Sequence, residues 1–379
     1  MLILLEVLNL IYLDYAAHHP VKEEALFEFN KIEMLRLGNS NSLHTLGIEA
    51  SLLLENAMNK LFKLLNLDNS IYEIIHVSSA TEANNLAIKG VANSYKGFGK
   101  HILVSHLEHN SVNACLSYLK DQGFEIEFIE NDEGGKISLD DLKSKIRKDT
   151  ILVITTLEDS ETGIIQDYEN IASVIKEHEN VHLLMDATQV MGKFDINYNK
   201  IDMFTFSSHK FGGLLGSGFL VKRKDIVLTP LIHGGTSQSI YRGGSVPVSL
   251  ICSSVRALEL EYKEKDSNFA HVLSLKDKLI TAINAKKGIM INSSSNPYII
   301  NLSIKNKKGS EVVKRLNEMN ICVSQKSACS IPNTPSKIIM AMYHDKNRAL
   351  SSFRISLSYL TKDDEIDELI KALEVIINE

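Results

Sequence analysis

The residues best placed to do chemistry in this sequence sit just past short β-branched runs. Ser78-Ser-Ala-Thr-Glu82 follows the run at 73–77 and opens a helical pattern. Small residues, hydroxyls and free N–H groups at a helix start make an anion site, suited to a phosphate. His109, in Ser105-His-Leu-Glu-His-Asn110, follows the next run and could stack on a planar ring, with His106 as its competitor. Asp186-Ala-Thr-Gln189 follows the apolar run at 182–185, where a carboxylate is costly unless it meets a cation such as a protonated ring nitrogen. Lys210 ends Thr205-Phe-Ser-Ser-His-Lys210 and precedes Phe211-Gly-Gly-Leu-Leu-Gly-Ser-Gly218. A lysine beside a strand end, with glycines permitting close backbone approach, suits Schiff-base chemistry. Each feature alone has a plainer reading: a helix cap, a surface histidine, an N-capping aspartate, a solvated lysine. Their order along the chain gives them joint weight, because ligands in an open parallel sheet bind outside the carboxyl ends of its strands.

The elements that must position these groups are legible in the alternation of patterns. Runs at 73–77, 102–105, 125–129, 151–155, 182–185, 203–206 and 217–221 read as strands, and the first five are separated by segments long enough for crossover helices, such as 83–93 and 138–146. In the latter, Ser138 is a good N-cap, and Leu139, Leu142 and Ile146 share a face. The pattern predicts an α/β fold with a mainly parallel seven-stranded sheet and helices on both faces. The last two strands are joined by a Gly-rich turn rather than a crossover, so one of them runs antiparallel. After about residue 256 the texture becomes Lys-rich and mixed, with a strand over 298–304. A closing helix carries Ile366, Leu369, Ile370, Leu373 and Ile377 on one face, with Thr361 expected as its cap and Asp364 as the capping-box partner. This part reads as a smaller α+β C-terminal domain packed on the first.

Composition narrows the partners. At 379 residues, 44% apolar and 23% charged, the chain is an ordinary globular one with room for two domains. A net charge of −6 gives no electrostatic reason to expect nucleic acid or an anionic membrane. Cys115, Cys252, Cys322 and Cys329 are too few and scattered for a secreted disulfide framework, and Cys322 and Cys329 lack a usual metal-ligand spacing, so no metal site is expected and the natural compartment is a reducing cytoplasm. The apolar start, Met1 to Leu13, has no basic n-region or cleavage site and is interrupted by Glu6 and Asn9, so it reads as a packing segment with an extended start rather than a leader or a membrane span.

Together the motifs resemble the class V aminotransferase group of fold-type I pyridoxal 5′-phosphate (PLP) enzymes, and within it the cysteine desulfurases of the NifS/IscS type. The resemblance runs nearly end to end. It begins at Ile11-Tyr-Leu-Asp-Tyr-Ala-Ala17 and passes through Gly38-Asn-Ser-Asn-Ser-Leu-His44, Ala80-Thr-Glu82, Asn85-Leu-Ala-Ile-Lys-Gly90 and Asp186-Ala-Thr-Gln189. It continues through Ser207-Ser-His-Lys210, Ser327-Ala-Cys329 and Ser351-Ser-Phe-Arg-Ile-Ser356. It implies a large PLP-binding domain over 15–255, and a small domain from 1–14 and 256–379 that carries a sulfur-acceptor cysteine loop. By matching position, Lys210 would hold PLP as a Schiff base and shuttle protons, Asp186 would pair with the pyridine nitrogen, and His109 would stack on the ring. Gln189 and Ser160 would face the phenolic oxygen, and Ala80, Thr81, Ser207 and His209 would hold the phosphate. Ser245 matches a position that reaches the neighbouring subunit's phosphate, which implies a homodimer with composite sites. Arg354 would grip the substrate carboxylate, with Asn39 in the same substrate-facing loop.

The activity so implied converts L-cysteine to L-alanine. Cys329 takes the sulfur as a persulfide, its thiolate favoured by nearby Lys326, and passes it to an acceptor protein by thiol exchange. The other cysteines read as inert packing residues. Iron–sulfur assembly, tRNA thiolation, thiamine synthesis and a dedicated pathway all remain open for the acceptor. A selenocysteine lyase or other class V lyase or aminotransferase would use the same lysine and arginine, and a catalytically weakened paralogue acting in sulfur transfer or regulation is a further alternative. The sequence departs from the family pattern around the pocket. Ser79 replaces a glycine of the phosphate loop, and Ser160 in Asp159-Ser-Glu-Thr-Gly163 replaces an asparagine facing the phenolic oxygen. Ala17-His-His19 and Gln238-Ser-Ile240 replace other motifs. The expectation is that PLP binding is kept while turnover or substrate preference is altered.

Overall fold

The computed structural model describes residues 10–35, 37–132, 134–236, 239–326 and 334–379. The described residues open with β1 (Ile11–Tyr12), α1 (Glu23–Met34) and α2 (Thr45–Leu64). Strands and helices then alternate: β2 (Tyr72–Val77), α3 (Ala80–Tyr95), β3 (His101–Ser105), α4 (Asn110–Asp121), β4 (Glu125–Ile129) and α5 (Leu139–Lys145). The alternation ends with β5 (Thr150–Thr156), α6 (Tyr168–Ile175), β6 (His182–Asp186), β7 (Met203–Ser207) and β8 (Gly218–Arg223). The long α7 (Val248–Asn284) leads into β9 (Ile289–Ser293), β10 (Ile299–Ile304), α8 (Gly309–Glu318) and β11 (Ile321–Cys322). Last come α9 (Lys337–Tyr343), α10 (Lys346–Ser351), β12 (Ser352–Ser356) and α11 (Asp363–Asn378).

All seven expected strands join one sheet, in the order β2-β8-β7-β6-β5-β3-β4. Strand β8 runs antiparallel to both β2 and β7, and the remaining pairs are parallel, as the Gly-rich turn predicted. Helices cover both faces, so β5 and β7 are buried at every residue and their sequences are nearly continuous apolar runs. The two-residue period still sorts side chains to opposite faces. Leu103, Val153, Leu183 and Met185 enter a core shared with α1, α2, α6 and the first half of α7. Their neighbours Ile102, Val104, Leu152, Ile154 and Leu184 pack under α3 and α4.

The C-terminal part has its own sheet, β12-β10-β9, antiparallel throughout. The passage between the cores lies inside α7: Ile251, Val255 and Leu258 belong to the large-sheet core, whereas Val272, Leu275 and Leu279 pack under the small sheet. Strand β1 pairs in parallel with β11, which ties the start of the chain to its C-terminal part.

Local caps explain where helices begin. Ser138 Oγ accepts from the Asp141 N–H, as expected. Helix α3 starts at Ala80, earlier than position 83, because Ser79 Oγ caps the Glu82 N–H at 3.2 Å. The final helix differs from expectation by one residue. Thr361 Oγ1 is taken by the Ser358 N–H at 3.1 Å, so Lys362 is the cap residue and Glu365 reaches back to its N–H at 2.8 Å.

Candidate active site

The sheet register sets the site. Thr156 and Asp186 lie side by side at the carboxyl ends of β5 and β6, and Thr205 of β7 pairs with Asp186 on its other side. The segments that follow these strands, the starts of α3 and α4, and Arg354 of β12 enclose a cavity of about 260 Å³. Of the expected residues it gathers Ala80, Thr81, His109, Ser160, Asp186, Gln189, Ser207, His209, Lys210 and Arg354.

One end is an anion cup. Ala80 and Thr81 occupy the first turn of α3, where backbone N–H groups have no acceptor within the helix. Gly218 is required here, because a Cβ at that position would lie 2.5 Å from the Ser79 carbonyl carbon and 2.9 Å from the Ala80 nitrogen. Ser207 Oγ lies 3.0 Å from His209 Nδ1 and closes the cup from β7. Burial first, then Lys210 and His18, push the His209 ring down to about 3, so it is neutral.

The middle is built around Asp186. Its Oδ2 accepts from Asn84 Nδ2 at 3.0 Å and its Oδ1 from the Thr188 N–H at 2.9 Å. Asn84 is fully buried in α3; it also donates to Ser111 Oγ at 3.0 Å and accepts from Thr205 Oγ1 at 2.7 Å. His109 caps α4 by accepting the Ser111 N–H on Nδ1 at 3.1 Å, which leaves its proton on Nε2. Burial holds the ring below the usual histidine range despite the attraction of Asp186.

Lys210 Nζ donates to the carbonyls of Ala16 at 2.6 Å and Ala17 at 2.8 Å. Burial lowers its pKa to about 7, assisted by the positive charges of Arg354 and Lys193 and opposed by Asp14 and Asp186. A good fraction of neutral amine at physiological pH is what nucleophilic attack on a carbonyl requires. Arg354, 1% exposed, donates from Nη2 to Asp14 Oδ1 at 2.6 Å and from Nη1 to the Ser160 carbonyl at 2.7 Å.

Several buried polar atoms on this cavity's lining residues have no partner among the described residues: Glu158 Oε2, Thr188 Oγ1, Gln189 Oε1 and Arg354 Nε. The donor set fits PLP: a helix-start cup for phosphate, Asp186 for the ring nitrogen, His109 for the ring face and the Lys210 amine for the aldehyde. Gln189 Nε2 donates to the Ala16 carbonyl at 3.0 Å.

Other expected residues lie elsewhere. Asn39 is exposed, its Oδ1 accepting from the Asn41 N–H at 2.9 Å, and Ser245 is also exposed. Cys329 and Gln238 lie outside the described residues. Lys326, expected to favour a thiolate, turns its ammonium to the Thr334 carbonyl and hydroxyl, each at 2.8 Å. Cys115 and Cys252 are buried, with thiols pushed up to about 11, in keeping with inert packing roles. The departures at 18 and 19 are absorbed locally. His18 stacks on His209 at 5.8 Å, and His19 is buried against Tyr359 with Nδ1 on the Pro20 carbonyl. Sequence reasoning missed Asp14, Asn84, Glu158 and Lys193; an asparagine inside an amphipathic helix was the one available signal.

The family model for aminotransferase class-V matches residues 11–369. A relative called cysteine desulfurase IscS, from Buchnera aphidicola subsp. Schizaphis graminum, is 34% identical over 98% of this chain and 93% of its own. A solved NifS-like protein superimposes with a TM-score of 0.89 at 30% identity, covering 97% of this chain and 99% of the other. A structure described as SspA in complex with cysteine gives a TM-score of 0.79 at 30% identity, covering 92% and 98%. With the strand-end acid, the buried lysine and nearly full-length similarity in agreement, this chain belongs to the aminotransferase class-V family.

Proposed function

We propose that this protein is a PLP-dependent cysteine desulfurase that converts L-cysteine to L-alanine, with Cys329 accepting the sulfur as a persulfide for transfer to an acceptor protein. The observation that carries the reading is the meeting of the Lys210 amine, Asp186 and the Arg354 guanidinium in one cavity, in a chain whose relatives are called cysteine desulfurases. Bound there, PLP supplies an electron sink for the α-carbon of an amino acid.

The chain's own residues have separable tasks. Asp186, held by Asn84 and Thr188, presents a fixed negative charge to the ring nitrogen. Lys210 Nζ, with its pKa lowered to about 7, can give up and regain a proton near neutral pH. Arg354 offers a planar guanidinium to the substrate carboxylate, and its Nε is still without a partner. Cys329 enters the reading through the sequence match at Ser327-Ala-Cys329: its thiolate bonds to the substrate sulfur, the Cβ–S bond breaks, and alanine leaves.

A homodimer with composite sites belongs to the same reading. Support comes from exposed apolar side chains on α1, α2 and the intervening loop, including Phe27 at 68%, Met34 at 81% and Leu43 at 94%. Ser245, exposed near the start of α7, is then assigned to the partner's phosphate, and residues 15–255 against 1–14 with 256–379 are assigned to the large and small domains, residues 1–9 and 327–333 lying outside the described ones. No described helix is long and apolar enough to cross a membrane.

The test is direct. Purified protein with PLP and a thiol reductant should release alanine and sulfide from L-cysteine in equal amounts. Cys329→Ala should keep the visible absorption of bound PLP and lose both products, whereas Lys210→Ala should lose that absorption. Unchanged turnover in Cys329→Ala would remove its role, and an unchanged spectrum in Lys210→Ala would overturn the cofactor assignment.

A further inference from the structure

One acid on the cavity wall is used by none of the tasks above. Glu158 follows β5, lines the cavity and is 1% exposed. Its Oε1 accepts from Asn296 Nδ2 at 2.9 Å, while Oε2 is buried without a partner among the described residues. Backbone bonds fix its position. The Leu157 N–H donates to the Asp186 carbonyl at 2.9 Å, the Asp159 N–H to the Ile164 carbonyl at 3.0 Å, and Thr156 Oγ1 to the Glu158 carbonyl at 2.8 Å. These bonds fix the Glu158 main chain at the strand end that also carries Asp186, and the Asn296 amide holds the carboxyl.

The surrounding charges define its state. Lys193, from the turn after β6, attracts it, Asp159 repels it, and Arg354, Lys210, Asp186 and His109 line the same cavity. Burial outweighs these and pushes the Glu158 carboxyl up to about 7, so it holds a proton below neutral pH. Because the Asn296 amide donates to Oε1, that proton belongs on Oε2, the oxygen with no partner. A buried donor left unmatched is costly, and a ligand acceptor would remove that cost.

We propose that Glu158 is a further ligand-contacting residue of this cavity, donating a hydrogen bond from Oε2 to an oxygen of the bound molecule. The acceptor is either the ring oxygen of PLP or the carboxylate of the amino acid. The inference rests on the PLP reading above. In holoenzyme, PLP dissociation is measured by equilibrium dialysis, and binding of L-alanine, the unreactive product, by the change in PLP absorbance. Wild type, Glu158→Gln and Glu158→Ala are compared between about pH 6 and pH 8.5, where the protonated fraction of the carboxyl falls about thirtyfold. At the acid end, Glu158→Ala should weaken one ligand about tenfold. Wild-type binding of that ligand should then fall about tenfold with rising pH relative to Glu158→Gln, whose amide donates at every pH. Weakened PLP identifies the ring oxygen as acceptor; weakened L-alanine alone identifies the carboxylate. The inference is overturned if Glu158→Ala binds both ligands within about twofold of wild type, or if Glu158→Gln follows the wild-type pH profile; the latter comparison decides it even where the alanine variant misfolds. Wild type that binds no PLP would refute the cofactor reading and this inference with it.

Discussion

Replacing Lys210 by methionine in the cofactor-free protein removes a buried amine whose pKa is lowered from 10.5 to about 7. That difference of about 3.5 pH units, at ~1.4 kcal/mol each, corresponds to ~5 kcal/mol between the two protonation states. The sign follows from counting protons. Above about pH 7 the folded chain releases the Lys210 proton, while the unfolded chain keeps it until 10.5, so wild-type stability rises with pH across that window. Between about pH 6 and pH 9 the linkage amounts to ~2.6 kcal/mol of stability that wild type gains and Lys210→Met does not. Titrating groups remote from Lys210 are common to both proteins and cancel in the comparison, whereas His18 and His109, each held down in part by the Lys210 charge, regain some proton affinity when it is removed. His209, held down to about 3 with Lys210 among the causes, stays neutral throughout the range. The chain contains no tryptophan, so urea unfolding is best followed by circular dichroism, at fixed protein concentration and several pH values. Stability profiles parallel to within about 0.5 kcal/mol would refute the claim that the fold suppresses the charge on this lysine.

Asn84→Ala should destabilise the protein by about 3 kcal/mol in urea unfolding, because Ser111 and Thr205 lose a buried partner and Asp186 loses one of its two donors. PLP affinity should fall in the same variant, and unchanged PLP affinity would show that the Asp186 carboxylate needs no such brace. Arg354→Lys keeps the charge but loses the fork, so KM for L-cysteine should rise about tenfold or more with a smaller effect on kcat. An effect confined to kcat would move Arg354 from substrate binding to a role in holding Asp14 and the Ser160 carbonyl.

The sequence by itself determined the large sheet and half of the site. Residues at the ends of a buried parallel strand must be turn formers, caps or ligand groups, so Asp186 and Lys210 stand out at the end of β6 and just past the end of β7. The Gly-rich turn before β8 likewise announced its reversal, since no crossover helix fits there. The tertiary structure decided the rest, because apolar periodicity reports that a residue is buried and not what it meets. Asn84 reads as one more polar residue in a helix until the strand order sets it between Asp186, Ser111 and Thr205. Asp14 and Arg354 lie at opposite ends of the chain and become an ion pair when β1 joins β11 and Ser324 bridges to Arg354. Glu158, in Leu157-Glu-Asp-Ser-Glu161, resembles a solvated acidic loop in one dimension. Its burial, and with it the proton it carries, exists only once β5, β6 and the loop before β10 close around it, because desolvation is a property of packing and not of residue type.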